Sequence, residues 1–290
     1  MLDVWTAIVN SRAAEDALGT RVEDFMKCGI AGINLRLPKN ASQIDYWESL
    51  CCLAATAVEA GIKYSVHSWV GSRHRSGRSE ANQLTAIPDA VNVAHMIYKL
   101  TDAAGEPPLR YGSNAERDVW RGPGGRANPD ANRYLKQFAT LLTSLETGAE
   151  VEYLGFADPD VHYADSDADK DGQKDDEVAP ETRVLFSQCQ VMAYQSSLNQ
   201  ITSVVDRARA AWPGHSLGVF VGCGRVDSIH GVIGSEAASR HIITNPVANL
   251  RELTFYVGND AERQLLVGNK SHASIYDIVT SLTRKDEKAT

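Results

Sequence analysis

The sequence predicts a (β/α)8 barrel built as a single domain over residues 1–290. Short apolar strand-like runs alternate with helical segments eight times, and that alternation favours parallel βα units over hairpins. A chain of 290 residues has the length of one such barrel and can bury a full core. Glycines at Gly29 and Gly61 stand directly before the second and third runs, as helix C-termini feeding short loops do. An open doubly wound sheet is the competing architecture. Its phosphate-cradling glycine fingerprint is absent, because Gly222-Cys223-Gly224 is followed by Asp227 where the third glycine would stand.

The first strand is read at Val4–Val9, followed by a helix through Ala13–Lys27 that closes at Cys28-Gly29. Ile30–Leu37 is the second strand and Tyr46–Ala60 its helix. Ile62–Val70 is the third, with Ser65, His67 and Trp69 on one side by the strand's period of two. A helix within Pro88–Leu100 precedes the fourth strand, Leu109–Ser113. The next helix starts near Pro129, with Asn128 as N-cap and proline at the first helical position. Val151–Phe156 is the fifth strand, succeeded by an acidic insertion at residues 158–180. Gln190–Tyr194, Leu217–Val221 and Leu253–Val257 complete the eight, with helices at Ile201–Trp212 and Ser274–Arg284.

Composition narrows the function classes. Hydrophobic residues make up 43% and charged residues 23%, a globular balance. Residues 158–177 carry a net −7 of the chain's formal −8, so the remainder is nearly neutral and lacks the basic footprint of a nucleic-acid binder. No apolar stretch approaches the ~18–20 residues needed to cross a bilayer, and no signal-peptide pattern is visible at the start. The five cysteines are odd in number and without C-x-x-C spacing, which argues for free thiols over a disulfide framework or zinc knuckle. Oligomeric state is not readable from the sequence.

The chemistry-bearing residues gather at expected strand ends. The fourth strand runs into Asn114-Ala115-Glu116, and in an α/β barrel the C-terminal strand ends carry catalytic groups. Glu116, partly desolvated there, has the character of a general acid; the bland alternative is a surface pair with Arg110, Arg117 or Arg121. On the sixth strand Gln190, Met192 and Tyr194 share one face, and Gln195 follows at its end.

Asn114-Ala115-Glu116 and Met192-Ala193-Tyr194-Gln195 together resemble, in reduced form, chitinase-type glycoside hydrolase barrels. They are also similar to the glycoside-hydrolase-like barrels of phage and bacterial cell-wall proteins. The resemblance implies a glycosidase acting on an N-acetylhexosamine-containing polymer such as peptidoglycan or chitin, with Glu116 as acid and Asn114, Tyr194 and Gln195 positioning the sugar. Free cysteines and the absence of a visible leader suggest cytosolic synthesis while a calcium loop fills mainly outside the cytosol, and a phage-encoded protein or one released to the cell exterior would reconcile the two. The chain departs from the chitinase pattern: Gly112 and Asn114 stand where that pattern has aspartates before the acid.

Two-carboxylate hydrolysis needs a second acidic group about 5–5.5 Å or about 6.5–9.5 Å from the first. Asp158, after the fifth strand, and Asp260, after the eighth, are the candidates for base or nucleophile, Asp158 being nearer in barrel order. The seventh strand ends Val221-Gly222-Cys223-Gly224, which argues against the clan of barrels with a nucleophilic glutamate there. Trp69, Trp120 and Tyr163 are candidates to stack on sugar faces, and His67 to contact substrate.

Within the insertion, Asp167, Asp169, Asp171, Gln173 and Asp175, with Gly172 at the turn, follow the start of an EF-hand-type loop and predict a structural calcium ion. Val178 replaces the usual bidentate glutamate at the twelfth position. A transition-metal hydrolase is disfavoured, since the eight histidines show no H-x-H or H-E-x-x-H spacing. The alternative to an enzyme is a barrel that binds carbohydrate without cleaving it, as an adhesin, virion component or assembly protein.

Overall fold

A computed structural model describes residues 3–8, 30–36, 44–70, 90–115, 130–156, 178–193, 195–222, 235–245 and 249–257. Eight parallel strands close in chain order: β1 (Asp3–Ile8), β2 (Ile30–Arg36), β3 (Lys63–Val70), β4 (Arg110–Ala115), β5 (Glu150–Phe156), β6 (Gln188–Met192), β7 (Ser216–Gly222) and β8 (Leu250–Val257). β8 returns to pair with β1, Thr254 opposite Trp5, which an open doubly wound sheet does not do.

Between the strands lie α1 (Ile44–Glu59), α2 (Ala90–Ala104), α3 (Asp130–Ser144), the one-turn α4 (Pro180–Arg183), α5 (Leu198–Ala211) and α6 (Ser235–Thr244). Neither α4 nor α6 was among the expected elements. The helices expected at Ala13–Lys27 and Ser274–Arg284 lie outside the described residues, as do residues 157–177 of the acidic insertion.

The hydrophobic core is a shell between barrel and helices. Ile33 and Leu35 of β2, Tyr64 and Val66 of β3, and Val219 and Val221 of β7 face outward into it, each pair two apart as strand alternation requires. The helices answer with a 3.6-residue period: Leu50, Leu53, Ala54 and Ala57 on α1, Val93, Ala94, Ile97 and Leu100 on α2, and Leu135, Phe138, Ala139 and Leu142 on α3. Each buried valine, leucine, isoleucine or phenylalanine among them contributes about 1.5–3 kcal/mol relative to exposure.

Helix-to-strand returns are short. After α1, Gly61 adopts φ +72°, a left-handed conformation that disfavours residues with a Cβ. Its amide donates to the Val58 carbonyl and that of Ile62 to Ala57, so the helix end is satisfied before β3 begins at Lys63.

Candidate functional site

The inner face of the barrel departs from the usual filling of branched aliphatic side chains. Asn34, Ser65, His67, Arg110, Glu152, Gln190, Glu252 and Thr254 are all buried, on the strand face opposite the hydrophobic shell. The sequence pattern follows from this. Parallel barrel strands, covered on both faces, ordinarily read as continuous apolar runs, whereas β5 alternates around Glu152 and β8 around Glu252 and Thr254, which are polar and inward.

Three glycines make the room. Trp5 on β1 lies opposite Gly32 on β2, His67 on β3 opposite Gly112 on β4, and Gln190 on β6 opposite Gly218 on β7. A Cβ on Gly32 would stand 2.6 Å from the Trp5 ring, and one on Gly218 would stand 2.0 Å from Gln190 Oε1. Two of these pairs continue to a glutamate on the following strand: Gly112 is in register with Glu152, and Gly218 with Glu252. The large side chain reaches across the glycine to that glutamate. His67 Nε2 lies 2.6 Å from Glu152 Oε1, and Gln190 Nε2 donates to Glu252 Oε1 at 2.6 Å.

Arg110, the first residue of β4, joins the two sets. Its Nε faces Glu152 Oε2 at 3.0 Å and its Nη2 donates to Glu252 Oε2, while its guanidinium lies over the Trp5 ring, 4.8 Å from the ring centroid. Gln190 Nε2 also approaches Glu152 at 3.3 Å; Gln188 Nε2 and Thr254 Oγ1 donate to Glu252 at 3.3 and 3.2 Å. The Phe220 ring packs against the imidazole of His67, their centroids 5.7 Å apart.

The carboxyl groups are electrostatically unlike. Burial alone would push both up. For Glu152, Arg110 and the hydrogen bond from His67 outweigh burial and hold the carboxyl below the ordinary glutamate value. For Glu252, burial together with repulsion from Glu152 outweighs Arg110, and the carboxyl is raised. Arg110 is raised as well: burial opposes its charge, but attraction to Glu152 and Glu252 prevails. The arrangement therefore sets two carboxyl groups with opposed tendencies about one guanidinium. Such a buried pair specifies geometry more than it stabilises, because desolvation offsets most of the Coulomb gain.

Of the residues predicted for function, Asn114, Trp69, His67 and Gln195 lie in described segments. Asn114 and Trp69 are register partners near the ends of β4 and β3. His67 is 7% exposed and engaged by Glu152, and Gln195, just beyond β6, is buried. The turn that carries Gln195 into α5 is fixed by Ser197, whose hydroxyl caps the helix by accepting from the Gln200 amide and donates to the Gln200 side chain at 3.0 Å. Glu116, Trp120, Asp158, Tyr163, Tyr194 and Asp260 lie outside the described residues, as do the loop positions Asp167, Asp169, Asp171, Gln173 and Asp175.

Arg110, offered by the sequence as a surface partner for Glu116, is committed to Glu152 and Glu252. Glu152, Glu252 and Gln188 were not among the expected site residues. A signal for them exists in the sequence: a glutamate at the centre of a strand that is paired on both edges and covered on its outer face has no direction but inward. Among the described residues no cluster of three or more His, Cys, Asp or Glu side chains is placed to hold a metal ion, and no helix is long and apolar enough to cross a membrane.

No protein-family model matches the chain, and no curated protein sequence matches it. Solved structures do. A β-1,4-mannanase from the common sea hare Aplysia kurodai superimposes with a TM-score of 0.54 at 11% identity, over 94% of this chain and 95% of the other. A GH5_18 variant from Bifidobacterium longum in complex with Manβ1-4GlcNAc gives a TM-score of 0.58 at 11% identity, over 100% of this chain and 79% of the other. The tryptophan synthase subunit alpha of Legionella pneumophila gives 0.53 at 7% identity, over 99% and 93%. The likeness is one of fold, and barrels of this kind host unrelated chemistries. This chain is a (β/α)8 barrel whose structural neighbours include glycoside hydrolases, mannan-acting ones among them rather than chitinases specifically.

Proposed function

We propose that this protein is a glycoside hydrolase acting on a polysaccharide that contains N-acetylhexosamine, with Glu116 as general acid. The observation that carries the reading is the end of β4. β4 runs Arg110–Ala115 and Glu116 follows it directly in sequence, and the C-terminal strand ends are where barrel enzymes place their catalytic groups. The presence of glycoside hydrolases among the structural neighbours supports the hydrolase part of this reading. In this reading Asn114, Trp69, Trp120, Tyr194 and Gln195 hold the sugar, and Asp158 or Asp260 serves as base or nucleophile.

Replacing the acid, Glu116→Gln, lowers turnover by about 10²–10⁴ while leaving the fold intact. The assay is release of reducing ends from chitin, peptidoglycan and mannan, with thermal unfolding as the folding control. Unchanged release from a hydrolysed substrate refutes Glu116 as the acid. A second reading, glycan binding without cleavage, is favoured by one observation: β7 closes at Val221-Gly222 with no carboxylate, and Glu152 and Glu252 inside the barrel are bound to Arg110 and Gln190. Retention on a glycan without release of reducing ends selects that reading.

A further inference from the structure

We propose that His67 is a specificity-determining residue of the sugar site, its Nδ1 accepting a hydrogen bond from a ligand hydroxyl while Glu152 fixes the ring in that role. The inference rests on the carbohydrate reading above and names what one of its residues recognises.

Arg110 anchors the pair. Its guanidinium faces Glu152 Oε2 at 3.0 Å, in an interior where Glu152 has no solvent exposure, so the carboxylate is held charged by a partner. An ionised carboxylate only accepts hydrogen bonds. Since His67 Nε2 lies 2.6 Å from Glu152 Oε1, Nε2 must carry the hydrogen. With the ring taken as neutral, the other nitrogen, Nδ1, is then an acceptor, and the one hydrogen bond of the ring found among the described residues is made by Nε2. A carboxylate that sets the tautomer of a histidine through one nitrogen defines what the other can bind.

Position supplies the rest. His67 is level with Gly112, and the next residues of the same alternation up β3 and β4 are Trp69 and Asn114, themselves register partners. His67 retains 7% exposure where Glu152 has none, so of the pair it is the member with surface left for a ligand. Gly112 leaves the ring its room, since a Cβ there would meet His67 Cδ2 at 2.4 Å. A group that only accepts selects a hydroxyl donor over a deoxy or O-methylated position, because a buried acceptor left unpaired is costly.

The test uses the full-length protein labelled with nitrogen-15 at histidine. Long-range proton–nitrogen correlation spectra of the ligand-free protein are expected to show His67 as the Nε2–H tautomer, and Glu152→Gln to mix the tautomers. Adding an N-acetylglucosamine tetramer or a mannose tetramer is expected to move the His67 Nδ1 resonance, and His67→Phe to weaken binding of that tetramer about five- to tenfold. An Nδ1–H tautomer or a doubly protonated ring in the wild type overturns the proposal. So does a bound tetramer that leaves the His67 resonances unmoved. Binding of neither sugar overturns the carbohydrate reading itself, a result separable from the tautomer measurement, which needs no ligand.

Discussion

Gly112→Ala isolates the principle on which the barrel interior is built. The new Cβ would lie 2.4 Å from His67 Cδ2, 2.7 Å from His67 Nε2 and 3.1 Å from Glu152 Oε1, so the methyl group and the His67–Glu152 hydrogen bond cannot share the space. Overpacking of this kind costs about 1–3 kcal/mol. Loosening a buried hydrogen bond to a charged group adds about 1.5–3 kcal/mol. Alanine restricts the unfolded chain and returns about 0.4–1 kcal/mol, leaving a net loss of about 2–5 kcal/mol. Urea unfolding followed by tryptophan fluorescence is the assay; at an m-value of about 3 kcal/mol per molar, the midpoint falls by about 1 M. Gly105→Ala is the control, with φ +78° and nothing within 4 Å of the added carbon, so it reads backbone strain of about 1–2 kcal/mol without a clash. In the His67→Ala background the cost of Gly112→Ala should largely vanish, as coupled neighbours require. Strict additivity of the two substitutions, or a midpoint for Gly112→Ala within about 0.2 M of wild type, refutes the reasoning.

The two interior glutamates predict opposite pH slopes of stability. Glu152, lowered in the folded state, contributes stability that is present above the unfolded glutamate value and lost as pH falls through the lower folded one. Glu252, raised in the folded state, binds its proton more tightly there than when unfolded, so stability declines as pH rises from the ordinary value through the raised one. Glu252→Gln should abolish the decline on the higher-pH side. Glu152→Gln should abolish the gain on the acid side and destabilise by about 3–5 kcal/mol near neutrality, because the Arg110 charge loses its ionised partner. Urea midpoints measured from acid to neutral pH check both, and parallel profiles for the two variants contradict the assignment. Calcium binding by Asp167, Asp169, Asp171, Gln173 and Asp175 is tested by titration calorimetry of wild type against Asp169→Ala/Asp171→Ala. Binding heat is expected from the wild type alone; equal heats reject the loop as a site.

Strand order and the shell-facing residues were legible in the sequence, because outward positions such as Ile33, Leu35, Tyr64 and Val66 are apolar and two apart. The reading lost strand starts where the interior is polar. β8 was expected from Leu253 and begins at Leu250, the missed residues including Glu252; β6 was expected from Gln190 and begins at Gln188. A search for apolar runs ends where a buried charge begins, so the omission and the unforeseen ion network share one cause. α6 escaped for a different reason. Its sequence, Ser235–Thr244, buries only small or single residues, Ala238, Ser239 and Ile242 among those described, too few to display a helical period.

Asn114 and His67 were visible as candidates because strand alternation alone places them. The role of Gly112 was not, because a glycine in a strand signals close approach without saying of what. The partner came from β3, a strand apart in space and more than forty residues apart in sequence.

The two irregularities in the sheet acquire meaning from these pairings. β2 advances past Ala31 between the partners of Val4 and Trp5, and β8 past Arg251 between the partners of Leu217 and Gly218. Each skip falls immediately before a glycine meets its bulky or acidic counterpart: it delivers Gly32 to Trp5 and Gly218 to Glu252. Without the second, Gly218 would face Arg251, an exposed residue. Strand alternation makes any one-residue slip an exchange of inside for outside. The glycine slots therefore act as alignment keys, admitting only the neighbour whose side chain fits and setting which of the possible staggers the ring of strands adopts when it closes.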